Sequence, residues 1–136
     1  PNRIKDFSCV AEDTIVKLEK LGIKNTLKLY ELILTADKRD ELSKNTGISK
    51  CEILMLTKLT DLSRIRWVNH TFAYVLLEAG YDTAEKIANA GAQKLYEEIK
   101  QLNRERKKYN AHISVRDMKM CIESANSLDF EIEYRL

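Results

Sequence analysis

Proline, glycine and long apolar runs are all scarce in this chain of 136 residues. Pro1 is its one proline, so no proline breaks a helix elsewhere. The four glycines, Gly22, Gly47, Gly80 and Gly91, each follow a stretch that reads as helix, where a left-handed residue commonly closes the last turn. Three cysteines, Cys9, Cys51 and Cys121, are widely spaced and odd in number. That excludes a disulfide framework and predicts a reducing compartment, with the cytoplasm as the default. The longest apolar run, Phe72 to Leu77, has six residues, far below the roughly 20 of a membrane span. No charged start followed by an apolar stretch reads as a secretory signal.

Catalytic signatures are equally sparse. His70 and His112 lie 42 residues apart, each without a cysteine or histidine at zinc-ligand spacing. The chain has no Cys-x-x-Cys, no glycine-rich phosphate loop ending in Lys-Ser/Thr and no Gly-x-Ser-x-Gly elbow. The pairs Asp40-Glu41 and Glu97-Glu98 are adjacent on helical stretches, so their carboxylates diverge. The three cysteines read as small buried hydrophobes. The sequence therefore predicts a protein that is not an enzyme and uses no cofactor or metal.

Hydrophobic residues make up 44% and charged residues 32%, which predicts a globular rather than a disordered chain. The net charge of +2 carries no strong footprint for nucleic acid. Its distribution says more. Residues 100–119 hold Lys100, Arg104, Arg106, Lys107, Lys108, Arg116 and Lys119 against Glu105 and Asp117, a local +5. Residues 123–136 carry a local −3. The run Arg104-Glu105-Arg106-Lys107-Lys108-Tyr109 would grip phosphates, but its place at a helix end favours solvated last turns facing the C-terminal dipole. Pairing with the acidic tail is a third reading, weak between exposed groups at about 0–1 kcal/mol per pair.

Eight helices are predicted, near 13–21, 26–34, 36–45, 50–64, 70–79, 83–89, 92–108 and 115–126. Ser49 to Glu52 and Ser114 to Asp117 both have capping-box spacing. Asn25 or Thr26, and Asp82 or Thr83, stand where a short helix needs a cap. The segment Leu128 to Tyr134 alternates apolar and acidic residues, but a lone strand has no partner, so an extended tail is expected. A shift of 58 residues lays Val10, Leu18, Gly22 and Leu29 over Val68, Leu76, Gly80 and Ile87. Each copy reads as a short hairpin, a helix ending at glycine, a turn and a capped second helix; neither is large enough to bury its own apolar face, so the two should pack together.

This pattern resembles the helix-hairpin-helix motif. The segments Leu21-Gly22-Ile23-Lys24-Asn25-Thr26, Ala36 to Leu42, Thr46-Gly47-Ile48-Ser49, Ala79-Gly80-Tyr81-Asp82-Thr83 and Leu102 to Lys108, with the Ser114 helix, carry the likeness further. In order and spacing they are similar to a family of small tandem helix-hairpin-helix proteins described as a domain of unknown function. The resemblance covers nearly the whole chain and implies a binding role, because such modules often bind DNA without sequence preference. There a Gly-hydrophobic-Gly turn lets backbone amides approach a phosphate at a helix N-terminus. Here Cys9 and Ala11 replace both glycines in the first copy, and Trp67 and Asn69 in the second. A positive φ is disfavoured for Cys, Ala and Trp and better tolerated by Asn. Glu12 and Asp13 would also repel phosphate, so the first hairpin is rejected as a nucleic-acid site.

The fold expected is one all-α domain over 1–136. It comprises a first helix-hairpin-helix (7–34), a helical insert (36–64), a second helix-hairpin-helix (65–91), and C-terminal helices with an extended tail (92–136). The leading function is sequence-independent binding of a DNA or RNA backbone. Its carriers would be Arg66, Trp67, Val68, Asn69, His70 and Thr71 in the second hairpin, with Lys100, Arg104, Arg106, Lys107 and Lys108 near the long helix end. For that hairpin a degenerate turn that merely positions two helices is the plainer reading. Trp67 is a stacking platform for a base, an anchor for a protein partner or, more simply, half-buried packing beside Val68 and Phe72. The alternative function is a protein-interaction or self-associating module with an exposed apolar patch around Trp67, Tyr74 and Tyr81.

Overall fold

Buried apolar positions recur at helical spacing through most of the chain, and the backbone follows them. The computed structural model describes residues 2–106 and 112–135. Within them a 3-10 turn, Ile4–Asp6, precedes α1 (Glu12–Glu19), α2 (Thr26–Tyr30), α3 (Ala36–Thr46) and α4 (Lys50–Leu62). Then follow α5 (His70–Glu78), α6 (Ala84–Ala88), α7 (Ala92–Arg106) and α8 (Val115–Asn126). The described residues contain no strand, only an isolated antiparallel bridge between Arg3 and Asn25. The fold class is all-α, as the sequence predicts.

Helix α4 contacts α2, α3 and α5, while α8 contacts α6 and α7. A single cluster of buried residues runs through both groups, with Leu18, Leu29, Leu59, Leu76, Ile87 and Leu95 fully enclosed. Such burial stabilises by about 1.5–3 kcal/mol per large aliphatic side chain. Polar links cross it: Thr14 donates to Glu52, and Lys58 Nζ reaches Asp82 at 2.6 Å. Asn126 Nδ2 donates to the Ala88 carbonyl at 2.9 Å, pinning α8 to α6.

The same local bonds stand 58 residues apart. Val10 N–H donates to Phe7 O at 3.1 Å and Val68 N–H to Ile65 O at 3.2 Å. Ile23 N–H donates to Leu18 O and Tyr81 N–H to Leu76 O, both at 3.0 Å. Asn25 caps α2 by accepting from Lys28 N–H, and Thr83 caps α6 by accepting from Lys86 N–H. Helix α6 therefore starts and ends in register with α2.

Several details depart from expectation. Helix α2 ends at Tyr30 rather than 34, tightening through Leu32 N–H to Leu29 O (2.9 Å) and Ile33 N–H to Tyr30 O (3.3 Å). That frees the Ile33 carbonyl for Arg39 and the Leu34 carbonyl for Glu133. Gly91 closes no helix in the left-handed region; it precedes α7, and its carbonyl accepts from Leu95 N–H. Gly47, by contrast, is left-handed at φ 76 and caps α3. The Ser114–Asp117 capping box is complete. Ser49 accepts from Glu52 N–H, but the Glu52 carboxylate turns to Thr14. Cys121 is buried and Cys9 partly so, but Cys51 is exposed, at the second position of α4 and away from the face that Ile53 and Leu56 bury.

The tail is extended, and it is held along its length. Arg64 donates to the Asp129 carbonyl, Tyr30 Oη to Glu131 at 2.6 Å, and Glu133 N–H to Leu34 O at 2.8 Å. Tyr134 Oη donates to Asp61 at 2.7 Å, and Arg39, itself buried, reaches the Arg135 carbonyl. The tail thus clasps α2, α3 and α4.

Candidate functional site

The turn between α4 and α5 is built from its ends inward. Ile65 and Val68 are buried, and Arg66 N–H donates to Ser124 Oγ of α8 at 2.8 Å. Between these anchors Trp67 takes φ 77, the one left-handed residue other than glycine among those described. The sequence disfavours that conformation for Trp, yet the turn needs it; it costs about 1–2 kcal/mol in a residue with a Cβ. Nor is Trp67 half-buried packing: it is 58% exposed. The Arg66 guanidinium lies over its ring, 4.7 Å from the centroid. Ile65 and Val68 face inward, and the two residues between them, Arg66 and Trp67, are both exposed.

Beside Trp67 lies a recess of about 150 Å³ lined by Phe72, His112, Ile113, Asp117, Met120 and Cys121. Burial pushes the Cys121 thiol up to about 11, with the Asp117 charge adding to it, so that thiol stays protonated. Asn69 caps α5, accepting from Phe72 N–H at 2.8 Å. The amides of His70 and Thr71 ahead of it have no intrahelical acceptor. The His70 ring meets Phe7 edge-on at 6.4 Å, and its Nδ1 lies 3.4 Å from Thr71 Oγ1. Of the residues singled out in this hairpin, Arg66, Trp67, Asn69 and Thr71 are exposed, His70 is half-buried, and Val68 belongs to the core.

Only part of the basic segment lies among the described residues. Lys100 lies over the Tyr96 ring at 5.9 Å, and Arg104 donates to Gln101 Oε1 at 2.6 Å. Arg106 is the last residue of α7; Lys107 and Lys108 lie outside the described residues. His112 brings the chain back against Trp67 only six residues after Arg106, a separation of at most about 21 Å. The tail acids do not pair with the described part of this segment: Glu131 binds Tyr30 instead.

The turn that leads into α1 differs. Ala11 leads α1 with no side-chain cap, Cys9 is not left-handed, and Glu12 and Asp13 are exposed in the first turn. The patch expected around Trp67, Tyr74 and Tyr81 does not form, because both tyrosines are half-buried. Tyr74 Oη donates to Glu78 at 2.7 Å. Burial and the Glu98 hydrogen bond push Tyr81 up to about 12. Among the described residues no group of three or more His, Cys, Asp or Glu is placed to hold a metal, and no helix is long and apolar enough to cross a membrane.

One buried polar centre was missed from the sequence. Asp61 is 4% exposed, accepts from Ala84 N–H at the start of α6 (3.0 Å) and from Tyr134 Oη, and pairs with Arg64 Nη1 at 2.9 Å. The signal available was an aspartate amid an apolar helical stripe, which is costly unless fully partnered.

The chain is all-helical over its described residues, and the turn between α4 and α5 presents an exposed cation and an exposed aromatic side by side. By family it is plain: the chain belongs to the family described as "Domain of unknown function (DUF4332)", whose model matches residues 8–128. No curated protein and no solved structure matches it.

Proposed function

We propose that α1–α2 and α5–α6 are two helix-hairpin-helix units of one domain, and that the chain is a non-catalytic module binding nucleic-acid backbone without sequence preference. The second hairpin and the basic end of α7 form the contact surface. The observation that carries this reading is the exposed Arg66–Trp67 pair at the entrance to α5. A cation and a flat aromatic are there presented beside a helix start whose first amides have no intrahelical acceptor. The register shared by α1–α2 and α5–α6 supports the structural half of the proposal. Three free cysteines suit a reducing, cytoplasmic setting.

The test is fluorescence anisotropy with labelled single-stranded DNA, duplex DNA and RNA at low and moderate salt. Micromolar binding that weakens by orders of magnitude as salt rises is expected. Joint neutralisation of Arg104, Arg106, Lys107 and Lys108 is expected to weaken it. Unchanged binding after that neutralisation removes the basic segment from the reading, and no binding at low salt removes the reading itself.

A second reading, a protein-interaction module, is favoured by other exposed apolar side chains. Leu27 is 68%, Leu21 55%, and Val16 and Phe130 45% exposed. Light scattering tests its self-associating form: a dimer whose dissociation follows Leu27→Ser or Leu21→Ser supports it, and a monomer at all concentrations excludes that form.

A further inference from the structure

Trp67 has a strained backbone without entering the core, and strain of that kind clusters at functional sites. The turn is over-determined by its neighbours. Ile65 and Val68 are buried, Val68 N–H closes on Ile65 O, and Arg66 N–H is tied to Ser124. The backbone that carries the indole is thereby fixed before any ligand arrives.

The recess beside it is walled by the aromatic ring of Phe72, the Met120 thioether and Ile113, with His112 and Asp117 as polar members. A phosphate is poorly suited to it, because Asp117 brings a negative charge. That carboxylate is held by the capping box, its Oδ2 accepting from Ser114 N–H at 2.9 Å. A flat, uncharged ring is well suited, since every nucleobase offers a π-face to an aromatic platform. Two exposed cations belong to the same elements: Arg66, whose guanidinium lies over the indole, and Arg116, one helical turn before Met120 on α8. In a duplex the bases are stacked and paired, so only an unpaired strand can lay one on Trp67.

We propose that Trp67 and its recess take one unstacked base of a single-stranded nucleic acid, with Arg66 and Arg116 holding the flanking phosphates. This rests on the backbone-binding reading above and adds the class of strand.

Trp67 is the only tryptophan in the chain, so intrinsic fluorescence reports on this residue alone. The full chain is titrated with a short single-stranded homopolymer and with a duplex of equal length, following indole emission and anisotropy together. The single strand is expected to quench Trp67 and to saturate at the concentration where anisotropy saturates. The duplex is expected to bind roughly tenfold or more weakly, without quenching. Trp67→Ala and Trp67→Gly, both checked for helical circular dichroism, are expected to lose most of the preference for single strand over duplex. Equal affinities without quenching overturn the base site and leave the backbone reading standing. No binding in anisotropy overturns both. An emission change produced by raising protein concentration alone overturns it in favour of a second copy on Trp67.

Discussion

Tyr134, in the tail, donates its hydroxyl to the carboxylate of Asp61, 73 residues earlier, at 2.7 Å. Asp61 also anchors the first amide of α6 and the Arg64 guanidinium, so three distant segments meet on one buried acid. Removing a donor leaves part of that acid unsatisfied. Tyr134→Phe is expected to cost about 1–3 kcal/mol in urea unfolding, seen as a lower midpoint at unchanged slope. Asp61→Ala, which takes the acceptor from the Tyr134 hydroxyl and the α6 amide and the acid from Arg64, is expected to cost more, about 3–5 kcal/mol.

Asp82 lies between Lys58 Nζ at 2.6 Å and Lys86 Nζ at 2.7 Å. Burial raises its carboxyl, but hydrogen bonds and charge from the two lysines outweigh burial and hold it below the ordinary 3.8. With the folded value depressed, the unfolded chain binds the proton first on acidification. The contribution is therefore complete above about pH 4 and is lost as pH falls through the folded value. Asp82→Asn is expected to flatten the acid limb of the stability curve, measured as urea midpoint against pH.

Trp67 at φ 77 predicts an unusual order among small substitutions. Glycine enters the left-handed region without the Cβ penalty, whereas alanine keeps it. Trp67→Gly is expected to be more stable than Trp67→Ala by about 1 kcal/mol, the reverse of their order in a helix.

Ser114 and Asp117 form a reciprocal cap, whereas Ser49 has lost its partner to Thr14. Ser114→Ala is expected to cost about 1 kcal/mol by thermal unfolding. Asp117→Asn is expected to weaken the cap by less, because an amide oxygen still accepts from Ser114 N–H.

Helix placement was legible because its signals are local. Asn25, Thr83 and Ser114 cap where their side chains allow, and Leu18, Leu29, Leu76 and Ile87 bury where the helical period puts them. What escaped depends on distant partners. Nothing near Glu52 announces Thr14, and nothing near Asp61 announces Tyr134. The end of α2 is likewise set by where Ile33 and Leu34 must offer their carbonyls. At the turn before α5, the resemblance to a helix-hairpin-helix motif named Arg66 and Trp67. Propensity misjudged the Trp67 backbone, because Ile65, Val68 and Ser124 impose a conformation that a tryptophan would not choose alone.

The most direct measurement of the account is the slope of log affinity against log salt for single-stranded DNA, in the parent chain and in Arg66→Gln with Arg104→Gln. A sequence-independent backbone binder is expected to show a steep negative slope that becomes shallower by about one per phosphate contact removed. A flat slope, or one that the paired substitution leaves untouched, contradicts backbone binding through this surface.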